Sequence, residues 1–141
     1  MTGTRENSRH GHVFRPGPLR AQQAWWLEGH VLHWKRGQKT GHIPLGEIAS
    51  MRLHLPAGGA AATAQCELTE VSGRRHRITD RYWFRWTPEE RHRFGRHERH
   101  EATFRGLTFT LARRLAQARP QAQILAGPGR GEWIATCIVA A

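Results

Sequence analysis

"GHIPLGEIASMRLHL", residues 41–55, changes its residue pattern halfway along. Proline lacks a backbone N–H and is tolerated in a strand only at an edge, an end or a bulge. We therefore expect one strand to finish near Pro44, a tight corner at residues 45–47, and a new strand to begin at Ile48. The new strand has the alternation of a strand with one buried face, apolar against polar: Met51, Leu53 and Leu55 against Arg52 and His54.

The segments on both sides of this corner also have β character. Upstream, residues 25–43 hold Trp, Leu, Val and Ile between Gly29, Gly37 and Gly41, which indicates short strands joined by tight turns. Downstream, the turn sequence SGRR separates two alternating runs: Ala64, Cys66 and Leu68, then Ile78, Tyr82, Phe84 and Trp86. Asp80 falls on the apolar side of the second run, so we expect a bulge or a break into two strands near it.

The periodicity changes after residue 86. Residues 87–90, TPEE, are typical of a helix start and predict a short helical turn up to Gly95. From about residue 98 to 118 one apolar stripe predicts a longer helix, ended by Pro120: Phe104, Leu107, Leu111, Leu115 and Ala118. The predicted fold class is mainly β with a C-terminal α-helix (α+β), in which about seven antiparallel strands precede a helix that needs a sheet to cover its apolar face.

The corner also carries a family resemblance. It matches the pattern Ile-Pro-Leu-x-x-Ile-x-x-hydrophobic at Ile43, Pro44, Leu45, Ile48 and Met51. This pattern commonly joins early strands in the bacterial pleckstrin-homology-like (PH-like) domains, a group that includes the GRAM domains. The chain resembles that family over residues 24–119. The resemblance implies a bent barrel of about seven antiparallel strands capped by one C-terminal helix.

Two end segments lie outside the resemblance. Residues 1–23 are rich in Arg, Gly and Pro and hold no apolar run of signal-peptide length, which predicts a disordered basic leader. Residues 120–141 are predicted to be a linker and an apolar tail. The last nine residues, WIATCIVAA, are shorter than the roughly 20 apolar residues that span a bilayer. They fit either a closing strand or the start of a transmembrane helix.

The composition favours an anionic partner. Lys and Arg number 22 against 11 acidic residues, giving a formal charge of +11, which suits nucleic acid or an anionic membrane face. Only two of these cations are lysines, so the arginine content also fits the codon usage of a GC-rich genome. Cys66 and Cys137 lack C-x-x-C spacing, which indicates neither a disulfide framework nor a zinc knuckle and favours a reducing compartment.

The first candidate site is a group of cations in the turn around Gly37: Lys35, Arg36 and Lys39. Each cation would add about 1 kcal/mol to binding near an anionic leaflet. In the lipid-binding members of the PH-like family, the resemblance implies a roomy basic loop between the first two strands instead. Gly29 and His30 make that turn too tight here. The cluster also fits a turn that is kept polar for solubility alone.

The second candidate site is a set of arginines on one face of a predicted strand, with Trp83 between them: Arg77, Arg81 and Arg85. Neighbouring guanidinium groups would lie about 13 Å apart at the usual rise of a strand. Such a face could follow a phosphate backbone while the aromatic ring stacks on a base. It also fits a solvated outer face.

We find no catalytic constellation. His92, His97 and His100 lie near glutamates but not in an H-E-x-x-H arrangement, Ser50 and Ser72 lack a G-x-S-x-G context, and residues 127–131 are not a P-loop. The sequence therefore predicts a protein that is not an enzyme and has no catalytic residue, metal or cofactor.

The leading functional hypothesis is a PH-like binding or positioning module at the cytoplasmic face of a bacterial membrane. It would be cytoplasmic, free or tethered to the inner membrane, with a protein or an anionic lipid as its partner. The alternative is a small basic nucleic-acid-binding protein that uses the Arg-rich strand face.

Overall fold

The computed structural model describes residues 11–17, 19–55, 63–83 and 97–127. These residues form ten strands, one turn of 3-10 helix and one α-helix. In chain order they are β1 (Gly11–Phe14), β2 (Gln23–Glu28), β3 (Val31–Arg36), β4 (Lys39–Pro44), the 3-10 turn (Leu45–Glu47), β5 (Ile48–His54), β6 (Gln65–Glu70), β7 (Arg75–Thr79), β8 (Arg81–Trp83), β9 (His97–Arg99), α1 (Glu101–Ala118) and β10 (Gln123–Ala126).

The strands form two four-stranded sheets and a two-stranded ribbon of β8 and β9. The first sheet is an antiparallel meander in the order β1-β2-β3-β4. The second sheet has the order β10-β5-β6-β7, in which β10 runs parallel to β5. The predicted class, mainly β with a C-terminal helix, is confirmed. The described residues differ in detail, because they form ten strands instead of about seven and close no barrel.

The corner lies where the sequence predicts it. β4 ends at Pro44, the 3-10 turn covers Leu45–Glu47, and β5 begins at Ile48, so the chain leaves the first sheet here and enters the second. Leu45 and Ile48 are fully buried and anchor the corner in the core. The Leu45 N–H donates to the His30 carbonyl at 2.9 Å, which ties the corner to the β2–β3 turn.

The helix also follows the sequence. α1 covers Glu101–Ala118, and the four large residues of its stripe have no exposed surface: Phe104, Leu107, Leu111 and Leu115. Ala118, the last member of the predicted stripe, is exposed. The helix packs mainly on β1 and the corner. It covers a core to which both sheets contribute buried side chains: Trp25, Leu32, Trp34, Met51, Leu68 and Ile78.

The alternation of β5 and β6 is confirmed. The inward face of the second sheet carries buried apolar residues: Met51, Leu53, Ala64, Cys66 and Leu68. Arg52 and His54 face the other side. Leu55 follows the end of β5 and is 37% exposed, so the buried face does not extend as far as the alternation predicts.

The break at Asp80 is confirmed as well. β7 ends at Thr79 and β8 begins at Arg81 in a different sheet. The Asp80 carboxylate is fully buried and accepts hydrogen bonds from the Ala64 N–H at 3.2 Å and from Arg99 Nε at 3.0 Å. Because an unpaired buried carboxylate is costly, these two partners are what keeps Asp80 inside the protein.

In two segments the structure differs from the sequence prediction. Gly11–Phe14 lie in the predicted leader but form β1, which pairs with β2 and buries Phe14. Gln123–Ala126 lie in the predicted linker but form β10, which buries Ile124. Both strands are only four residues long, and each is stabilised by a neighbour that composition and local periodicity do not reveal.

Other predicted features lie outside the described residues. They are the beginning of the leader (1–10), the whole of the predicted short helical turn (87–95) with Phe84, Arg85 and Trp86 before it, and the apolar tail (133–141).

Candidate functional site

The β3–β4 hairpin carries the first predicted cluster: Lys35, Arg36 and Lys39. Its two-residue turn begins at Gly37, whose φ of +61° is one that glycine adopts without strain. The Gly37 N–H donates to the Gln22 carbonyl at 3.2 Å and so fixes the turn against the β1–β2 connection. The Arg36 guanidinium carbon lies 5.4 Å from the centre of the Trp34 ring, which holds the charge at the end of the sheet.

β7 lies at the edge of the second sheet and carries arginines on its outer side. Arg75 and Arg77 are exposed, whereas His76 and Ile78 between and beyond them are buried. Arg77 forms an ion pair of 3.4 Å with Glu67, and both side chains are largely in solvent. Exposed pairs of this kind contribute little to stability, so an external anion can compete for the guanidinium.

A cleft of about 810 Å³ lies between β7 and the β1–β2 connection. Its charged lining residues come from four parts of the chain, the β1–β2 connection, β3, β6 and β7: Arg20, Arg36, Glu67, Arg75 and Arg77. Four arginines and one glutamate thus border the cleft among the described lining residues, and the cleft is strongly basic. The structure brings together Arg36 and Arg77, which the sequence analysis assigned to two separate sites.

The rim of the cleft carries an exposed apolar side chain. Leu19 lines the cleft next to Arg20 and is 90% exposed. Single exposed leucines are common on protein surfaces. A leucine that stands beside clustered arginines is an arrangement that also suits an anionic bilayer, where apolar burial and electrostatic attraction add together.

Other predicted site residues stay apart from the cleft. Lys35 and Lys39 flank Arg36 on the hairpin but do not line the cleft. The arginine ladder is interrupted, because Arg77 belongs to the second sheet and Arg81 to the β8–β9 ribbon. The Arg81 guanidinium carbon lies 5.6 Å from the ring centre of Trp83, so these two residues contact each other. Arg85 lies outside the described residues.

Sequence reasoning missed Arg20 as a site residue because it lay in the predicted leader. The available signal was the sequence GHVF at residues 11–14, which holds two β-formers between Gly11 and Pro16. A strand placed there would have positioned residues 15–22 as a connection beside the hairpin. The convergence of Arg20 with Arg75 and Arg77 depends on the packing of the two sheets, which no local pattern encodes.

A buried polar cluster lies at the start of α1. His12 is 1% exposed, and its ring nitrogens contact the Thr103 hydroxyl at 2.9 Å and the Thr79 carbonyl at 2.6 Å. Burial lowers the pKa of His12 to about 4, and the neighbouring His100 adds to this effect. The cluster joins β1, the end of β7 and the helix, so its role is to hold these elements together.

The Cys66 thiol, possible metal ligands and the apolar length of the helix also bear on what the described residues can do. Burial raises the pKa of the Cys66 thiol, and its side chain has no exposed surface, so it is not a nucleophile that a substrate could reach. Within the described ranges, no three His, Cys, Asp or Glu side chains are close enough to hold a metal ion. No helix in the described part of the chain is long and apolar enough to cross a membrane.

No family model, no curated protein and no solved structure matches this chain.

Proposed function

We propose that this protein is a non-catalytic, PH-like binding module that docks on an anionic membrane surface through its basic cleft. The observation that carries the proposal is the convergence of Arg20, Arg36, Arg75 and Arg77 around one cleft. The proposal places the module at the cytoplasmic face of a bacterial inner membrane, where anionic headgroups are abundant.

The chemistry of the cleft supports a phosphate-bearing partner. Guanidinium groups bind phosphate oxygens through two parallel hydrogen bonds and remain charged at any physiological pH. Lys35 and Lys39, on the same hairpin as Arg36, add charge near the cleft without lining it. Leu19, 90% exposed at the rim, would enter the boundary between headgroups and acyl chains.

The order of the elements supports the PH-like part of the proposal. A four-stranded meander, a sharp corner, three further antiparallel strands, the β8–β9 ribbon and a helix follow one another. The seven strands before the ribbon and the helix after it fit the order of strands and helix that the resemblance implies. β10 adds a strand beside β5 that the resemblance did not imply.

The proposal predicts salt-dependent binding to vesicles that contain phosphatidylglycerol, and weak binding to phosphatidylcholine vesicles. Replacing Lys35, Arg36 and Lys39 by glutamine should weaken the binding by roughly 100-fold, because each cation contributes about 1 kcal/mol near an anionic surface. Co-sedimentation at several salt concentrations measures this effect.

The matched control replaces Arg105, Arg113 and Arg114 of α1 by glutamine, which removes the same number of charges at positions that do not line the cleft. We expect this variant to bind vesicles nearly as well as the wild type. Equal losses of vesicle binding in both variants would show that binding responds to net charge alone. This result would contradict the proposal that the cleft is the binding site. Preferential binding of single-stranded DNA over vesicles would favour the nucleic-acid alternative.

A further inference from the structure

The outer face of the second sheet carries a second concave surface, which shares Arg75 and Glu67 with the basic cleft and otherwise has its own lining residues. A pocket of about 560 Å³ lies over β10, β5, β6 and the start of β7. Its polar residues form cross-strand rows because outward side chains of neighbouring strands stand opposite one another. One row is Gln123, Ser50, Thr69 and Arg75, and the next contains Leu125, Arg52 and Glu67.

Arg52 occupies the middle of this face. Arg52 is half-buried, and its Nη1 atom is shielded from solvent and has no hydrogen-bond acceptor in the described part of the chain, so a ligand in the pocket reaches this atom only when the side chain turns outward. Glu67, which stands opposite Arg52 across the strand pair, is engaged by Arg77 at 3.4 Å. A desolvated guanidinium nitrogen without an acceptor lowers stability, so this nitrogen contributes no hydrogen bond to the fold.

The residues around Arg52 indicate which kind of ligand could supply the missing hydrogen-bond acceptor. Ser50, Thr69, Gln65 and Gln123 line the pocket with hydroxyl and amide groups that both donate and accept hydrogen bonds. Leu125 is the one large apolar side chain among the described lining residues, so the pocket has little to offer an acyl chain. The volume is in the range of small-molecule sites, which run from about 300 to 1,000 Å³.

We propose that this pocket binds a small, soluble, hydroxylated molecule that bears a phosphate or carboxylate group. The oxyanion pairs with the Arg52 guanidinium, and the neutral hydroxyl and amide side chains bind the hydroxyl groups. This binding does not depend on the basic cleft, although Arg75 and Glu67 line both surfaces.

The test uses ribose 5-phosphate as the probe and ribose as the control without phosphate. Ribose 5-phosphate should raise the unfolding temperature of the full chain and shift the amide resonances of Ser50, Thr69 and Gln123, whereas ribose should do neither. Arg52→Gln should weaken the binding roughly tenfold or more, because it removes a charge-assisted hydrogen bond. Arg113→Gln, on the helix, should bind the probe as the wild type does.

A second variant keeps the test decisive if Arg52→Gln folds poorly. Arg52→Met fills the site without a buried donor, so its unfolding temperature should equal or exceed that of the wild type while its response to the probe is lost. A marked loss of stability in Arg52→Met would instead assign Arg52 to the fold and overturn the proposal.

Two further outcomes would contradict the proposal. One is the absence of any response of the wild type to millimolar ribose 5-phosphate. The other is binding of phosphatidylglycerol vesicles that depends on Arg52 without an effect of the free sugar phosphate. Failure of the membrane proposal is distinguishable, because the variant without Lys35, Arg36 and Lys39 should keep its response to ribose 5-phosphate.

Discussion

His12 illustrates how one side chain joins three elements. As the neutral tautomer with a proton on Nε2, it donates to the Thr79 carbonyl and accepts at Nδ1 from the Thr103 hydroxyl. Its ring stacks on Phe14 and meets the edge of Phe104. A protonated ring at this position would lack water around its charge, which is the main reason why its pKa falls to about 4.

The lowered pKa of His12 predicts a loss of stability in acid. In the unfolded chain its pKa returns to 6.5, so below that pH the unfolded state binds a proton that the folded state refuses. This contribution to stability is present above pH 6.5 and is lost as the pH falls toward 4, by about 3 kcal/mol in total. Urea unfolding between about pH 7.5 and pH 4.5 measures the change.

The control for this prediction compares two histidine variants. His12→Gln should flatten the dependence of the unfolding free energy on pH, whereas His42→Gln, at an exposed position, should leave it close to that of the wild type. If His12→Gln and the wild type lose the same free energy of unfolding between the two pH values, burial does not lower the pKa of His12 in the folded protein.

At the scale of elements, the patterns that local residues determine are the ones that the sequence predicts well. The corner follows from Pro44, because proline restricts where a strand can continue. The break follows from Asp80, because a carboxylate cannot continue an apolar face without partners. The inward face of α1 follows from the spacing of Phe104, Leu107, Leu111 and Leu115.

The elements that the sequence did not predict depend on distant partners. β1 and β10 each span four residues, too few for a clear period, and each is stabilised by pairing with a strand elsewhere in the chain. The parallel pairing of β10 with β5 is especially hard to predict, because about seventy residues separate the paired positions. Arg20 was missed for the same reason, since its position depends on β1.

The burial of the helix stripe gives a prediction at this scale. Leu111→Ala should lower the free energy of unfolding by about 2–5 kcal/mol, because Leu111 has no exposed surface and the truncation leaves a cavity. Phe109→Ala on the same helix is the matched control. Phe109 is 42% exposed, so its truncation should cost less than about 1 kcal/mol. Equal costs would contradict the orientation of α1.

At the scale of the whole molecule, the fold positions the cations. The first sheet supplies Arg36 through its last hairpin, and the second sheet supplies Arg75 and Arg77 through its edge strand. The sequence revealed the charges but could not show which of them meet, because that depends on how the two sheets pack. One consequence is that the lipid and nucleic-acid candidates share a cleft through Arg36 and Arg77, while Arg81 and Trp83 lie elsewhere.

The most direct test of the account asks whether Arg36 and Arg77 belong to one anion-binding site. Arg36→Gln, Arg77→Gln and the control Arg113→Gln would each be titrated with phosphatidylglycerol vesicles and with single-stranded DNA. We predict that Arg36→Gln and Arg77→Gln weaken vesicle binding to a similar extent, about fivefold each, and that Arg113→Gln does not. Unchanged vesicle binding in Arg77→Gln, together with weaker DNA binding, would contradict the claim that Arg36 and Arg77 act in one cleft. It would instead assign them to two separate binding sites.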